Sequence, residues 1–213
     1  MIEFNALLRA IPKILNVTLP GEAAHLKLSP PERAALLQKI DLTVHNPREA
    51  SVVMLAYPHH DEARLALIRR NSYKGVHSSQ VAFPGGKIEA NETPQSAALR
   101  ETEEEIGVPT SQIAVLRAFT PVYIPPSNFL VHPFLAVCHE TPQFQPDPRE
   151  VAEIVALRIT DLMNDDNVRL HTMDTAYSRN IEVPALVVGD TVIWGATAMI
   201  LSELKDVFSI TLD

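Results

Sequence analysis

The chain has 213 residues, of which 46% are hydrophobic and 21% charged, which suits one large domain or one domain with an extension. Its formal net charge of −8 argues against a general nucleic-acid-binding surface. The single cysteine, Cys138, excludes an intramolecular disulfide and favours a reducing compartment.

The N-terminal sequence shows no sign of export or membrane insertion. Residues 1–19 are amphipathic, and Glu3, Arg9 and Lys13 interrupt their apolar positions, which is not typical of a secretory signal. No apolar run in the chain approaches the ~20 residues that a membrane-spanning helix needs. We therefore expect a cytoplasmic protein with no membrane partner and no nucleic-acid partner.

The first 50 residues predict helices ahead of the main domain. A helix is predicted over Phe4–Leu15, and Pro12 is expected to end or kink it. Its apolar side is formed by Leu7, Leu8, Ile11 and Leu15. A second helix is predicted over Glu32–Ile40, after a pair of prolines. We interpret residues 1–50 as an N-terminal helical extension of a main domain over residues 51–213. The extension would cover one face of that domain or take part in a homodimer contact.

Apolar, β-branched runs predict a series of strands in the main domain. They are Ser51–Tyr57, Arg64–Arg69, Gln80–Phe83, Ile113–Phe119, Leu130–Cys138 (broken near Pro133) and Val151–Ile159. Thr160 is expected to cap a short helix after the last of these. A hairpin of Thr172–Glu182 with Ala185–Trp194 and a helix over Ala196–Val207 complete the chain. Helices between and after the strands indicate an α/β protein with a mixed sheet.

The most informative stretch is Gly86–Val108, a glycine turn followed by an acidic helix. Thr93 and Pro94 are suited to the N-cap and first helical position, and Gly107 is suited to ending the helix. Three carboxylates share one helical face, at Glu101, Glu104 and Glu105. Like charges at this spacing repel, so the pattern favours a hard divalent cation among them, either Mg²⁺ or Mn²⁺.

This stretch resembles the Nudix box, G-x5-E-x7-R-E-U-x-E-E-x-G-U. The fixed positions are occupied by Gly86, Glu92, Arg100, Glu101, Glu104, Glu105 and Gly107, followed by Val108. Thr102 stands where the pattern has an aliphatic residue. The resemblance implies the Nudix α/β/α sandwich with a mixed β-sheet. It also implies a metal-dependent hydrolase of nucleoside diphosphates linked to another group.

The resemblance also implies a role for each matching residue. Glu101, Glu104 and Glu105 would bind Mg²⁺ or Mn²⁺ together with the backbone carbonyl of Gly85. One of these carboxylates, with Glu101 favoured, would serve as the general base. Glu92 and Arg100 would pair and orient the box. Family members often recruit a further glutamate from a later loop, for which Glu150 and Glu153 are the candidates, with a solvated strand edge as the alternative.

Basic residues cluster just upstream of the box, at Arg69, Arg70, Lys74 and His77. They would supply the local positive charge that a phosphate-bearing substrate needs on an acidic protein. This segment, with Gln80-Val81 and the sequence FPGG, resembles the signature of the coenzyme A pyrophosphatase branch of the Nudix family. Ser79 stands where that signature has glycine, and Lys74 is the candidate for its second arginine.

The branch resemblance implies hydrolysis of coenzyme A or a derivative to 3′,5′-ADP and 4′-phosphopantetheine. Another nucleoside diphosphate derivative (ADP-ribose, a nucleotide sugar or a dNTP) is the alternative substrate. A Nudix-fold binding module without turnover is the alternative from a different functional class. The proline-rich segment Tyr123–Asn128 is a candidate substrate loop, whose aromatic ring would stack on a base, or else a plain connection. The segment Trp194–Thr197 is interpreted as a core anchor and helix start without substrate contact.

Overall fold

Five α-helices are present in the part of the chain that the computed structural model describes, residues 1–31, 33, 45–71, 80–174 and 179–212. They are α1 (Phe4–Asn16), α2 (Glu22–Lys27), α3 (Pro94–Ile106), α4 (Ile159–Met163) and α5 (Gly195–Thr211). The helix predicted over Glu32–Ile40 falls outside the described residues, apart from Arg33. None of the helices in these ranges is long and apolar enough to cross a membrane.

Within the described ranges, eight strands form a mixed central sheet, and three more form a small antiparallel sheet. The central sheet contains β1 (Arg48–His59), β2 (Glu62–Arg70), β3 (Val81–Ala82), β4 (Gly85–Lys87), β5 (Ala114–Ala118), β6 (Val122–Ile124), β7 (Phe129–Val137) and β8 (Val151–Arg158). The small sheet contains β9 (Val168–Met173), β10 (Ile181–Val188) and β11 (Thr191–Trp194). β1 pairs antiparallel with β2 and parallel with β7, so the predicted mixed sheet is confirmed.

The chain between residues 81 and 87 is inserted where β1 and β2 part. β3 pairs with the end of β2, at Ile68 and Arg69, while β4 pairs with the start of β1, at Val52 to Ala50. Both short strands therefore lie between the two long ones, and Phe83 and Pro84 connect them. This insertion places the glycine turn where β1 and β2 diverge.

Side chains of β1 and β2 alternate between two cores, one on each face of the sheet. Met54 and Leu65 join α1 and α5 in the first core, whereas Leu55 and Ile68 join α3 in the second. Helices thus cover both faces of a mixed sheet, which confirms the predicted α/β/α sandwich.

Proline affects two of these elements less than the sequence suggested. α1 continues through Pro12 to Asn16, because the residues that it buries on both sides of the proline (Phe4, Leu7, Ala10 and Ile14) hold it against the core. The predicted apolar side was therefore wrong in part, and Leu15 is 44% exposed. Pro133 does not break β7 either. It lies between the stretches paired with β5 and with β6, where neither strand requires its missing N–H.

Two predicted elements near the C-terminus also differ from those observed. Thr160 does not cap α4; its Oγ1 instead accepts a hydrogen bond from the backbone N of Ile2 at 2.9 Å. The predicted strand Thr172–Glu182 is wrong, because β9 ends at Met173 and β10 begins at Ile181.

A fully buried carboxylate attaches the N-terminal segment to the main body. Glu203 of α5 accepts hydrogen bonds from the backbone N–H groups of Gly21 and Thr120, at 3.0 and 3.1 Å. The Thr120 hydroxyl donates to it at 2.6 Å, and the His25 Nε2 lies 3.3 Å away. We call these four residues the Glu203 cluster. Burial raises the pKa of Glu203, but the hydrogen bonds from His25 and Thr120 outweigh it, and the pKa is lowered overall.

Candidate functional site

Both ends of helix α3 are fixed by local sequence signals, and both were predicted. Thr93 at the N-cap accepts a hydrogen bond from the backbone N of Ser96 at 3.1 Å, and the Ser96 hydroxyl accepts one from the backbone N of Thr93 at 2.9 Å. Pro94 occupies the first helical position. Gly107 ends the helix with φ of 70°, a left-handed conformation that favours glycine. These two signals fix the first and last residues of α3, and in this position its carboxylates face the glycine turn.

The glycine turn and helix α3 approach each other too closely for side chains on the turn. A Cβ at Gly86 would lie 2.4 Å from the carboxyl carbon of Glu101. A Cβ at Gly85 would lie 2.2 Å from the carbonyl oxygen of Ser51, and Gly85 has φ of 148°. The backbone N of Gly85 donates to Glu105 Oε2 at 2.8 Å. The approach of β1 thus requires glycine at Gly85, and at Gly86 the Glu101 carboxylate occupies the space that a side chain would take.

Glu105 is a buried carboxylate with only part of its hydrogen-bonding capacity used. Its side chain is 3% exposed, and its Oε1 has no hydrogen-bond partner among the described residues. The Arg70 Nη1 forms an ion pair with that oxygen at 3.5 Å. Burial raises the pKa of Glu105 to about 7, although the Gly85 N–H and Arg70 oppose this shift. An unpartnered buried carboxylate oxygen is a position that a cation would satisfy.

Arg100 connects the remaining carboxylates of the motif. It binds Glu92 through two parallel hydrogen bonds, Nε to Oε1 at 2.7 Å and Nη2 to Oε2 at 3.0 Å. Its Nη1 donates to Glu101 Oε1 at 2.8 Å and to Glu104 Oε2 at 3.0 Å. The hydrogen bonds from Arg100 lower the pKa of Glu92 to about 2 and keep it ionised. The pair expected between Glu92 and Arg100 is present, and the same guanidinium also bridges two of the expected metal ligands.

The donor atoms suit a divalent cation, although the side chains are not yet arranged around one. Within the described ranges, no three His, Cys, Asp or Glu side chains converge on a common ion position. The Glu104 side chain is 60% exposed. Glu101 is more buried, and this burial raises the pKa of its carboxyl. The oxygen chemistry and the unpartnered Glu105 Oε1 fit Mg²⁺ or Mn²⁺. Binding would require Glu101 and Glu104 to exchange their contact with Arg100 Nη1 for the ion.

A cavity of about 850 Å³ opens beside these carboxylates. Gly85, Gly86, Glu101 and Glu105 line one end of it. Much of the remaining wall is apolar and includes Val52, Phe83, Ile124, Phe129, Val131 and Ile200. A cleft of this size, with charged groups at one end and apolar walls elsewhere, suits a large organic ligand that carries phosphates.

Only some of the residues predicted to contact the substrate or to act as a further metal ligand line the cavity. Arg70 and Glu150 line the cavity. Arg69 instead pairs with Glu153 through Nε at 2.6 Å from Oε1, and neither residue is part of the cavity lining. Lys74 and His77 lie outside the described residues.

Some lining residues were missed or misjudged from the sequence. In the candidate substrate loop, Ile124, Pro126 and Ser127 line the cavity. Tyr123 does not line it, and its hydroxyl donates to Asn128 Oδ1 at 2.9 Å, so this ring is not positioned by the structure to stack on a base there. Trp194 and Thr197, which were not expected to meet the substrate, do line the cavity. Pro30, Arg33 and Asp174 also line it, and no motif identifies them.

Comparisons with known proteins agree with this geometry. The model of the NUDIX domain matches residues 47–175. Nudix hydrolase 22, chloroplastic, of Arabidopsis thaliana is 30% identical over 162 residues, which cover 73% of this chain and 53% of that protein. The uncharacterized Nudix hydrolase NudL of Yersinia pestis is 32% identical over 151 residues, covering 70% of this chain and 74% of that protein. The chain thus spans about half the length of the Arabidopsis relative.

Solved structures support the fold. A Nudix hydrolase from M. smegmatis, RenU, superposes with a TM-score of 0.54 at 20% identity, covering 77% of this chain and 87% of that chain. A MutT/nudix family protein from Enterococcus faecalis gives a TM-score of 0.51 at 20% identity, covering 84% and 69% of the two chains.

Proposed function

The chain belongs to the NUDIX domain family, and on that premise we propose that it is a metal-dependent diphosphatase acting on nucleoside diphosphate derivatives. Within that class we propose coenzyme A or one of its derivatives as substrate, with 3′,5′-ADP and 4′-phosphopantetheine as products. The observation that carries the proposal is the close approach of the glycine turn to the acidic face of α3, where Glu105 Oε1 is buried without a hydrogen-bond partner in the described part of the chain.

Glu101, Glu104, Glu105 and the carbonyl of Gly85 would hold Mg²⁺ or Mn²⁺ at the end of the cleft. When bound, such an ion neutralises the diphosphate and makes a bound water more acidic. Glu150, which lines the same end, is the remaining candidate for a ligand, since Glu153 is engaged with Arg69 outside the cavity.

The protein's own side chains would position the diphosphate and accept a proton. Arg70 lines the cleft beside Glu105 and would donate to the diphosphate oxygens. Glu101, once released from Arg100 Nη1, is the carboxylate that we assign to accept a proton from the attacking water. Arg100 keeps two hydrogen bonds to Glu92 and thereby fixes the orientation of the helix side chains around the ion.

Three features support coenzyme A over smaller nucleotides. The segment from Arg69 to Gly86 resembles the upstream signature of the coenzyme A branch, and Trp194-Gly195-Ala196-Thr197 resembles its C-terminal segment. That C-terminal segment lines the cleft, and Thr197 Oγ1 donates to the carbonyl of Val81 at 3.1 Å. The apolar walls suit the pantetheine arm, which carries no charge.

The proposal is tested by product analysis with coenzyme A, ADP-ribose and dGTP in parallel, each with Mg²⁺ and with Mn²⁺. We expect 3′,5′-ADP and 4′-phosphopantetheine by mass spectrometry, and loss of turnover in Glu104→Gln. Turnover of another nucleotide without coenzyme A cleavage would refute the substrate. No turnover of any of them would favour a binding module. A cytoplasmic location, a division at residue 50 and a homodimer remain predictions.

A further inference from the structure

Three cationic side chains among the described residues line the cavity, and two of them already have partners within the protein. Arg70 forms the ion pair with Glu105, while Arg33 donates to the Tyr123 carbonyl and has a further contact besides. The third, Lys87, is exposed, and its ammonium makes no hydrogen bond or ion pair with any other described residue. Lys87 is therefore the cavity cation whose charge a ligand can meet directly.

The strand β4 directs Lys87 into the cavity and away from helix α3. Successive side chains of a strand lie on opposite faces of the sheet. A Cβ at Gly86 would meet the Glu101 carboxyl group on the α3 face, so the side chain of Lys87 leaves the sheet on the other face. The carbonyl of Lys87 accepts a hydrogen bond from Arg100 Nη2 at 3.2 Å. Lys87 thus has a fixed backbone and a side chain on the face that carries the apolar walls of the cavity.

Lys87 lies between the proposed metal-binding end of the cavity and its apolar wall. Gly85, whose carbonyl is a proposed metal ligand, is two residues earlier in β4, about 7 Å away. On the other side, Lys87 pairs with Ala50 of β1, and Ala50 pairs with Val131 of β7. Paired residues share a face of the sheet, and these three all line the cavity. A ligand that extends from the metal-binding end to the apolar wall therefore passes beside Lys87.

The charge balance of the cavity indicates what Lys87 binds. Four carboxylates of the described residues line the cavity against its three cations, and the whole chain carries a net charge of −8. A phosphate in this field is repelled unless a cation meets it. The phosphate nearer the apolar wall is the one that carries the uncharged arm of the substrate, and Lys87 adjoins that wall. A lysine ammonium binds phosphate as a point charge on a flexible stem, which suits this position.

We propose that Lys87 is a specificity-determining residue that binds the phosphate from which the uncharged arm of the substrate extends. The inference rests on the proposed function, in which that group is the phosphate of the 4′-phosphopantetheine product. Arg70 and the metal ligands would hold the diphosphate beside Glu105, and Lys87 would hold it where the apolar wall begins. One side chain would then connect recognition of the diphosphate with recognition of the arm.

The test compares two ligands that differ only in that phosphate, 4′-phosphopantetheine and pantetheine, by isothermal titration calorimetry on the full chain with Mg²⁺. The wild-type protein is expected to bind 4′-phosphopantetheine more tightly. Lys87→Met is expected to weaken 4′-phosphopantetheine binding by about 5- to 10-fold, as for the loss of a hydrogen bond to a charged group, and pantetheine binding by less than about twofold. Lys87→Arg keeps the charge and should retain most of the preference.

The matched control is Lys27→Met, which removes a lysine from an exposed ion pair outside the cavity lining. It should leave both affinities unchanged. Thermal melting of Lys87→Met should match that of the wild type, because the side chain is exposed and has no partner among the described residues to lose.

The other product shows which phosphate Lys87 binds. 3′,5′-ADP carries no pantetheine arm, and Lys87→Met is expected to change its affinity by less than about twofold. Because the contact is between charges, added salt should reduce the wild-type preference for 4′-phosphopantetheine more than the preference that remains in Lys87→Met. Equal weakening of 3′,5′-ADP and 4′-phosphopantetheine in Lys87→Met would overturn the inference, as would a wild type without a preference for 4′-phosphopantetheine over pantetheine.

Turnover separates this inference from the proposed function. With coenzyme A as substrate, Lys87→Met is expected to lower kcat/KM by a factor similar to its loss of affinity for 4′-phosphopantetheine. If coenzyme A is hydrolysed but the calorimetric preference does not depend on Lys87, the inference fails and the proposed function stands. If coenzyme A is not hydrolysed but the preference exists and depends on Lys87, the inference stands and the proposed function fails.

Discussion

Glu105 of α3 and Glu203 of α5 are both buried in the same fold, yet their surroundings are opposite. Both oxygens of Glu203 have hydrogen-bond partners, which the Glu203 cluster provides, and its pKa is lowered. Among the described residues, Glu105 has one hydrogen bond, from the Gly85 N–H, while its Oε1 has none and only the ion pair with Arg70 at 3.5 Å, and its pKa is raised to about 7. Both side chains are essentially inaccessible, so burial alone does not distinguish them.

The difference in hydrogen bonding indicates that Glu203 stabilises the fold, whereas Glu105 is placed to bind a ligand. A buried ionised group contributes to stability when the protein itself satisfies it, as at Glu203. When the protein leaves an oxygen unsatisfied at the edge of a cleft, the ionised form costs stability until a cation arrives. Substitution of Glu105 should therefore reduce turnover, and substitution of Glu203 should reduce stability.

The largest expected effect follows from Glu105→Gln. We expect Mg²⁺-dependent hydrolysis to fall by at least about 1,000-fold, more than 4 kcal/mol, because a buried ligand charge is removed at the reaction centre. Initial rates at saturating Mg²⁺ measure this effect. Glu203→Gln is the matched control and should retain kcat within a few-fold. Comparable loss of kcat in both variants would remove the distinction between the two sites.

Glu203→Ala should produce the next largest effect, a loss of about 3 to 4 kcal/mol in the free energy of unfolding. The substitution leaves the N–H groups of Gly21 and Thr120 and the side chain of His25 buried without their acceptor. Urea denaturation followed by circular dichroism measures the loss, and Lys27→Met should cost less than about 1 kcal/mol. A loss below 1 kcal/mol in Glu203→Ala would mean that the cluster contributes little to stability.

The smallest expected effect is a pH dependence that differs in sign between the two glutamates. The pKa of Glu105 is raised from 4.5 to about 7. Between those values the folded state binds more protons than the unfolded state, so stability falls as pH rises, by up to about 3 kcal/mol without a divalent ion. The pKa of Glu203 is lowered. Its contribution is therefore present above the usual glutamate pKa and is lost as pH falls through the folded value.

Urea titrations across pH 4 to 8 separate these two contributions. Glu105→Gln should abolish the decline in stability toward neutral pH and keep the loss of stability at acid pH. If stability still declines toward neutral pH in Glu105→Gln, a group other than Glu105 causes the decline.

The sequence predicted the parts of the site that depend on local spacing. The cap at Thr93 and the stop at Gly107 are decided within one helix, so short-range rules suffice for them. Of the three carboxylates predicted to share one face, Glu101 and Glu105 line the cavity, whereas Glu104 is 60% exposed and does not. Gly86 was identifiable in the same way, although only the structure shows that the Glu101 carboxylate occupies the space of its Cβ.

The remainder of the site depends on contacts between residues distant in sequence. Arg69 and Arg70 are adjacent, and only the pairing of β2 with β8 shows that Glu153 binds Arg69 and leaves Arg70 to the cleft. Arg33 is a lone basic residue after two prolines, and its place in the cavity wall follows from its contact with Tyr123, 90 positions away. No periodicity or motif reports such a contact.

The bridge that Arg100 makes between Glu101 and Glu104 has a consequence for how the protein behaves in a cell poor in divalent ions. Because the chain carries its own counter-charge for these two carboxylates, the acidic helix remains neutralised in part before any ion is loaded. A shortage of divalent ions is therefore expected to leave α3 folded, with Arg100 beside Glu101 and Glu104 in place of an ion.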